Sequence, residues 1–200
     1  MPTDTHNFAP LTPRQGRLLV GLARFAIAEK LGQPASDPMA TLSHEPEDDI
    51  LTNNFGTFVT LTKDGRLRGC IGSLEARESL QASVRHNACS AAFHDPRFTP
   101  LTAKELVSVH IEVSVLTAPQ PLTYADGEDL LAKLNPGRDG LIIAKGRAQA
   151  TFLPQVWQQL PDPSHFLSEL CRKAGLGHDT WRRETLTVQT YRVQSFGERS

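Results

Sequence analysis

Cysteine is scarce in this 200-residue chain, at Cys70, Cys89 and Cys171 only. An odd number with no C-x-x-C pair makes neither a disulfide framework nor a zinc knuckle, so the expectation is a reduced, cytoplasmic protein. No charge dominates: 21 Lys and Arg face 22 Asp and Glu. That balance argues against a broad phosphate-gripping surface and disfavours nucleic acid as the main partner. No apolar run approaches the roughly 20 residues of a bilayer-crossing helix. Met1 to Pro10 carries Asp4 and His6 and lacks the basic-then-apolar order of a secretory signal. The seven histidines form no H-E-x-x-H, and no G-x-G-x-x-G or Walker-type loop is present, so no tightly bound metal and no cofactor are expected. Repeats, low-complexity tracts and a flexible linker are also missing. A single domain over 11–198 is the expected organisation, with 1–10 and the proline- and acid-rich 33–49 irregular.

What is present is the composition of a globular protein, 39% hydrophobic and 22% charged, long enough to bury a sizeable core. Thr12-Pro13 reads as a helix start, with Leu18, Leu19, Leu22, Phe25 and Ala26 on one face and Gly32 closing it. Ser79 to Phe93 reads as a second helix whose alanines permit close packing. His94 to Leu101, with Pro96 and Pro100, reads as a loop. Leu106 to Leu116 alternates valine and isoleucine with polar residues and predicts a half-buried strand. A short helix over Asp126–Leu134, a hairpin around Lys145-Gly146-Arg147, a helix from Asp162-Pro163 and a closing strand over Leu186–Val193 follow. Hairpins with interspersed helices predict an α+β fold on antiparallel sheet.

The densest chemistry lies in Arg66-Leu67-Arg68-Gly69-Cys70-Ile71-Gly72. Lys63-Asp64-Gly65 supplies a hairpin turn between this segment and Phe55–Leu61. Alternation puts Leu67 and Ile71 on one side, and Arg66, Arg68 and Cys70 on the other. Pairing Thr62 with Arg66 gathers Val59, Leu61, Leu67 and Ile71 into one apolar face, and sets Phe58 and Thr60 across from Cys70 and Arg68. Gly69, inside the strand, marks a close approach by a ligand or another backbone.

This segment resembles the signature of the AMMECR domain family, known in bacteria and archaea as AmmeMemoRadiSam system protein A. Further similar motifs follow in order. They are Phe58-Val59-Thr60-Leu61, Asp95-Pro96-Arg97-Phe98-Thr99-Pro100-Leu101, Glu112–Leu116, Gly140–Ile143, Ala150–Val156 and Leu170–Leu176. The resemblance implies two unequal lobes with a cleft between them, the larger built from the terminal segments and the smaller from the middle. It also implies association with a Memo-like protein, itself similar to metal-dependent dioxygenases, and with a radical SAM protein. It implies no single reaction.

Cys70 is the candidate catalytic residue, because a thiolate is the reactive form and Arg66 and Arg68 are cationic neighbours. His86, His94 and His110 are candidate bases, although spacing places none of them beside the sulfur. The competing readings of Cys70 are a small buried hydrophobe and an unreactive thiol lining a ligand. Arg68, Gly69, Asp95 and Arg97 are the candidate substrate-binding residues. Arg97 can fork onto a carboxylate or phosphate, whereas Asp95 can equally serve as a turn residue that accepts backbone N–H groups. His110 and Glu112 share a strand face. Cys89, Cys171, Trp157 and Trp181 read as packing residues. Three functions remain open. One is a binding or accessory module for a small anionic or modified-nucleotide substrate, one a cysteine-dependent enzyme using Cys70 in an inter-lobe cleft, and one an RNA-binding accessory factor.

Overall fold

The computed structural model describes residues 10–38 and 46–198. Most of the stretch expected to be irregular at the amino terminus, and 39–45 of the 33–49 connection, lie outside the described residues. The elements in chain order are α1 (Pro13–Lys30), a 3-10 helix (Pro46–Thr52), β1 (Gly56–Lys63), β2 (Arg66–Ser73), α2 (Leu80–Phe93), α3 (Ala103–Leu106) and β3 (Val109–Leu116). They continue with β4 (Gln120–Pro121), α4 (Gly127–Lys133), β5 (Gly140–Lys145), β6 (Ala148–Phe152), a second 3-10 helix (Pro154–Gln158), α5 (Pro163–Lys173), α6 (Thr180–Arg183), β7 (Thr187–Tyr191) and β8 (Val193–Gly197). The fold is α+β, with two four-stranded sheets of order β2-β1-β3-β8 and β4-β7-β5-β6. The registered strand pairs are antiparallel. No described helix is long and apolar enough to cross a membrane. Among the described residues, 10–116 with 194–198 make one compact unit and 117–193 a second.

In the first unit, α1 starts where the sequence predicts. The Thr12 hydroxyl accepts from Gln15 N–H and the Gln15 side chain accepts from Thr12 N–H, a reciprocal capping box, with Pro13 at the first helical position. Both long helices lie on one face of the sheet. Leu19, Leu22, Ala23 and Ile27 of α1 and Leu80, Val84, Ala88 and Ala91 of α2 are buried, as are Val59, Leu61, Ile111, Val113 and Val115 of the strands. A buried polar cluster joins α2 to β1. The hydroxyls of Thr57 and Ser83 lie 2.7 Å apart, and Asn87 donates to Thr57 Oγ1 at 2.8 Å.

The second unit packs α5 on its sheet. Trp157 stacks on Phe166 with ring centroids 3.7 Å apart and donates its indole N–H to Asp139 O at 2.8 Å. Trp181 and Cys171 are buried in the same core, and burial pushes the Cys171 thiol pKa up. Gly140 pairs with Tyr191 across the sheet, where the tyrosine ring fills the space a Cβ would need.

Three segments depart from the sequence reading. The strand read from Leu106 begins only at Val109, because Thr102 and Glu105 form their own capping box and start α3. Val107 is left 88% exposed. The closing strand splits at Arg192 into β7 and β8, which enter different sheets. Pro46–Thr52, at the end of the connection read as irregular, is a 3-10 helix.

Candidate functional site

The hairpin of β1 and β2 turns at Asp64 and Gly65, both with positive φ, of 51° and 71°, the conformation of a two-residue hairpin turn. Its register differs from the sequence reading. Phe58 pairs with Gly72, Thr60 with Cys70 and Leu61 with Gly69, then Thr62 with Leu67 and Lys63 with Arg66. A bulge absorbs one extra residue beside Leu61 and Thr62. Relative to the expected pairing the strands are offset by one residue on the turn side of the bulge and by two beyond it, which keeps the faces of Val59, Leu61 and Ile71 together. Leu67 is the exception. The bulge takes it out of the apolar face and leaves it 43% exposed.

Gly69 faces the helices. A Cβ built there would lie 2.2 Å from the carbonyl oxygen of Ala91 in α2. The close approach is therefore made by helix backbone, and Gly69 serves packing rather than the Cys70 side of the strand. At Gly72 a Cβ would meet the Thr57 carbonyl oxygen at 2.2 Å and the ring of Phe58, its cross-strand partner, at 2.4 Å.

Cys70, one residue on from Gly69, points to the face away from α2. The Thr60 hydroxyl donates to its sulfur at 3.4 Å. Thr60 also pairs with Glu112 of β3, so Cys70, Thr60 and Glu112 form one row across three strands. At about 4.8 Å per strand, Glu112 sits roughly 10 Å from Cys70. His110 lies in the next row, paired with Thr62. Thus His110 and Glu112 share a strand face, as their alternation predicts, and that face is the one carrying Cys70, two strands away. His86 is on α2 and meets Glu78 at 3.2 Å. His94 caps the end of α2.

β2 is an edge strand, so the backbone of Cys70 points outward. Asp95 accepts the Cys70 N–H at 2.9 Å, and Arg97 donates to the Cys70 carbonyl at 3.3 Å. The two side chains also clamp each other, Arg97 Nε to Asp95 Oδ1 at 2.9 Å and Nη2 to Oδ2 at 2.6 Å. Asp95 further accepts the Arg97 N–H at 3.1 Å, the turn role weighed for it above. Its carboxylate is 2% exposed whereas the Arg97 side chain is 54% exposed. The Arg97 hydrogen bond holds the Asp95 pKa far below the usual carboxylate range, against the opposing effect of burial and with help from the Cys70 amide. Arg97 is raised in turn, chiefly by its hydrogen bond to Asp95, with burial opposing and the Asp95 charge assisting. Leu101, buried behind this loop, donates its N–H to Ala92 O at 2.8 Å and anchors it to α2.

Arg68 is held in the same manner. Its Nε and Nη2 donate to the two oxygens of Glu105 at 3.2 and 3.3 Å, and Lys63 reaches Glu105 at 3.5 Å. The Arg68 hydrogen bonds lead in lowering the Glu105 pKa to about 2, with burial opposing and Thr102 assisting. Both guanidiniums lie against one ring, Arg68 at 5.9 Å and Arg97 at 5.4 Å from the Phe98 centroid. Arg66 is exposed at the end of the hairpin. The fold thus gathers Arg68, Cys70, Asp95 and Arg97 at the β2 edge. Thr60 joins them on the face where the strand alternation put it, and Phe98 and Glu105 join them unforeseen. The capping-box pattern at Thr102–Glu105 was a readable signal for Glu105 as a fixed carboxylate, but nothing local tied it to Arg68. No group of three or more His, Cys, Asp or Glu able to hold a metal ion occurs among the described residues.

The chain as a whole is similar to known proteins. The family model described as AMMECR1 matches residues 20–196. A protein of Thermofilum pendens is 41% identical over 94% of this chain and 92% of its own length. One of Methanothermobacter thermautotrophicus is 39% identical over 96% of this chain and 98% of its own. The crystal structure of an uncharacterized protein from Pyrococcus horikoshii superposes with a TM-score of 0.80 at 36% identity, covering 94% of this chain and 93% of that one. The chain belongs to the AMMECR1 family.

Proposed function

We propose that this AMMECR1-family chain is a binding or accessory module whose recognition surface is the β2 edge around Cys70 and Arg68. The observation that carries this reading is the double clamp on the Cys70 peptide, N–H to Asp95 and C=O from Arg97. Side chains locked this way are preorganised for recognition, since little conformational freedom is left to lose on binding. Arg68, fixed by Glu105, extends the same surface. Guanidiniums favour an anionic ligand, which suits a small anionic or modified-nucleotide substrate. A Memo-like protein and a radical SAM protein are the proposed partners, on the strength of the family resemblance.

The rival reading is a cysteine-dependent enzyme, favoured by the Thr60 hydroxyl on the Cys70 sulfur and by Arg97 beside it. Alkylation kinetics and mass spectrometry of co-purified ligands separate the two. A module gives an ordinary Cys70 alkylation rate and retains its ligand in Cys70→Ser. Unusually fast alkylation, with ligand capture lost in Cys70→Ser, would replace the module with the enzyme.

A further inference from the structure

Arg68 and Arg97 are bound by their carboxylates through the same edge. Each gives Nε and Nη2 to one carboxylate, Arg68 to Glu105 and Arg97 to Asp95. Each therefore keeps its Nη1 end uncommitted, since neither Nη1 donates to any described residue. For Arg68 the consequence is sharp, because its side chain is 12% exposed and its Nη1 is buried without an acceptor. A buried donor with no partner is destabilising, and each such group asks for a reason. The charge balance also leaves room for an anion: Glu105 already serves Lys63 as well as Arg68. The ring that both guanidiniums approach within 6 Å, Phe98, is half-buried and sits on the same short loop as Asp95.

We infer that the Nη1 ends of Arg68 and Arg97 form an oxyanion-recognition site beside Cys70, for a phosphate monoester or a carboxylate. Asp95 and Glu105 are its positioning residues: they hold the forks, so the anion meets guanidiniums already oriented. Phe98 is its cover, and its ring edge moves to admit an oxygen to Arg68 Nη1. This rests on the binding-module reading and names the chemistry that the module recognises.

The test is an NMR titration of the full chain, ¹⁵N-labelled, with inorganic phosphate, acetate and chloride at constant ionic strength. Saturable shifts at the amides of Arg68, Cys70 and Phe98 and at the two arginine Nε–H signals are expected with phosphate or acetate. Whichever saturates at lower concentration identifies the ligand class. Arg68→Lys and Arg97→Lys keep the charge but lose the fork, and each should weaken binding about tenfold. If Arg68→Lys does not fold, the half-exposed Arg97 carries the comparison. Equal shifts with chloride, non-saturating shifts, or a folded Arg97→Lys that binds as the wild type would overturn the site. Loss of anion binding with ordinary Cys70 alkylation would leave a module for an uncharged ligand. Fast alkylation with anion binding intact would instead overturn the module and keep this site.

Discussion

Asp95 accepts the Cys70 amide hydrogen at 2.9 Å from a position 25 residues further along the chain. An edge strand normally presents a row of unpaired backbone groups, a template for unwanted pairing. Here a carboxylate and a guanidinium occupy that edge at Cys70, where a neighbouring strand would otherwise bond. The same two side chains fix the peptide that carries the thiol.

Asp95→Ala should cost about 2–4 kcal/mol, because it orphans the Cys70 amide and leaves Arg97 without its counter-charge. Arg97→Ala should cost less, since the guanidinium is half in solvent and Asp95 keeps its two amide donors. Urea unfolding of both variants checks the order. Equal and negligible losses would show that the clamp does not stabilise the fold.

Acid should weaken the protein through Asp95 and Glu105. Both carboxylates have folded-state pKa values below their ordinary ones of 3.8 and 4.5. Their stabilising effect is complete above those ordinary values and is lost as pH falls through the depressed ones, down to about 2 for Glu105. Unfolding free energy measured from pH 6 downward should therefore fall below about pH 4.5. Glu105→Gln should shallow that fall. An unchanged slope in the variant would remove Glu105 from the account.

Gly69→Ala should destabilise by about 1–3 kcal/mol or prevent folding, since the new methyl meets the Ala91 carbonyl, which cannot rotate aside. Gly65→Ala, with open space but positive φ, should cost only about 1 kcal/mol. Thermal melts of the pair compare packing with backbone strain. A milder effect at Gly69 than at Gly65 would contradict the close approach of α2.

Two of the three thiols should react in a fixed order, Cys89 before Cys171. Cys171 is buried and its pKa is raised by burial, so its alkylation should require unfolding and follow the unfolding rate. Cys89 is half-buried with its pKa raised by burial, and should react in the folded state but slowly. Peptide mapping after timed alkylation checks this. Labelling of Cys171 ahead of Cys89 would contradict the burial.

Local signals determined most of the elements. Thr12-Pro13 and Asp162-Pro163 started helices, and Asp64-Gly65 turned a hairpin, because capping and positive φ are decided by neighbours within a few residues. The alternation of Val59, Leu61, Ile111 and Val113 marked a sheet with one buried side. Local signals erred where two competed, as at Leu106, where a capping box won over strand alternation. They erred also where a single residue divided an element, as at Arg192. The bulge in β2 and the two-residue offset beyond it were beyond reach, because an even shift keeps Val59, Leu61 and Ile71 on one face and alternation is blind to it. Only the tertiary structure decided that Gly69 yields to α2, that Glu105 grips Arg68, and that Asp95 and Arg97 close on Cys70. Those contacts join residues 22 to 37 positions apart, and which partner a fork or a bare Cα finds depends on how helices and strands pack, which no local pattern encodes.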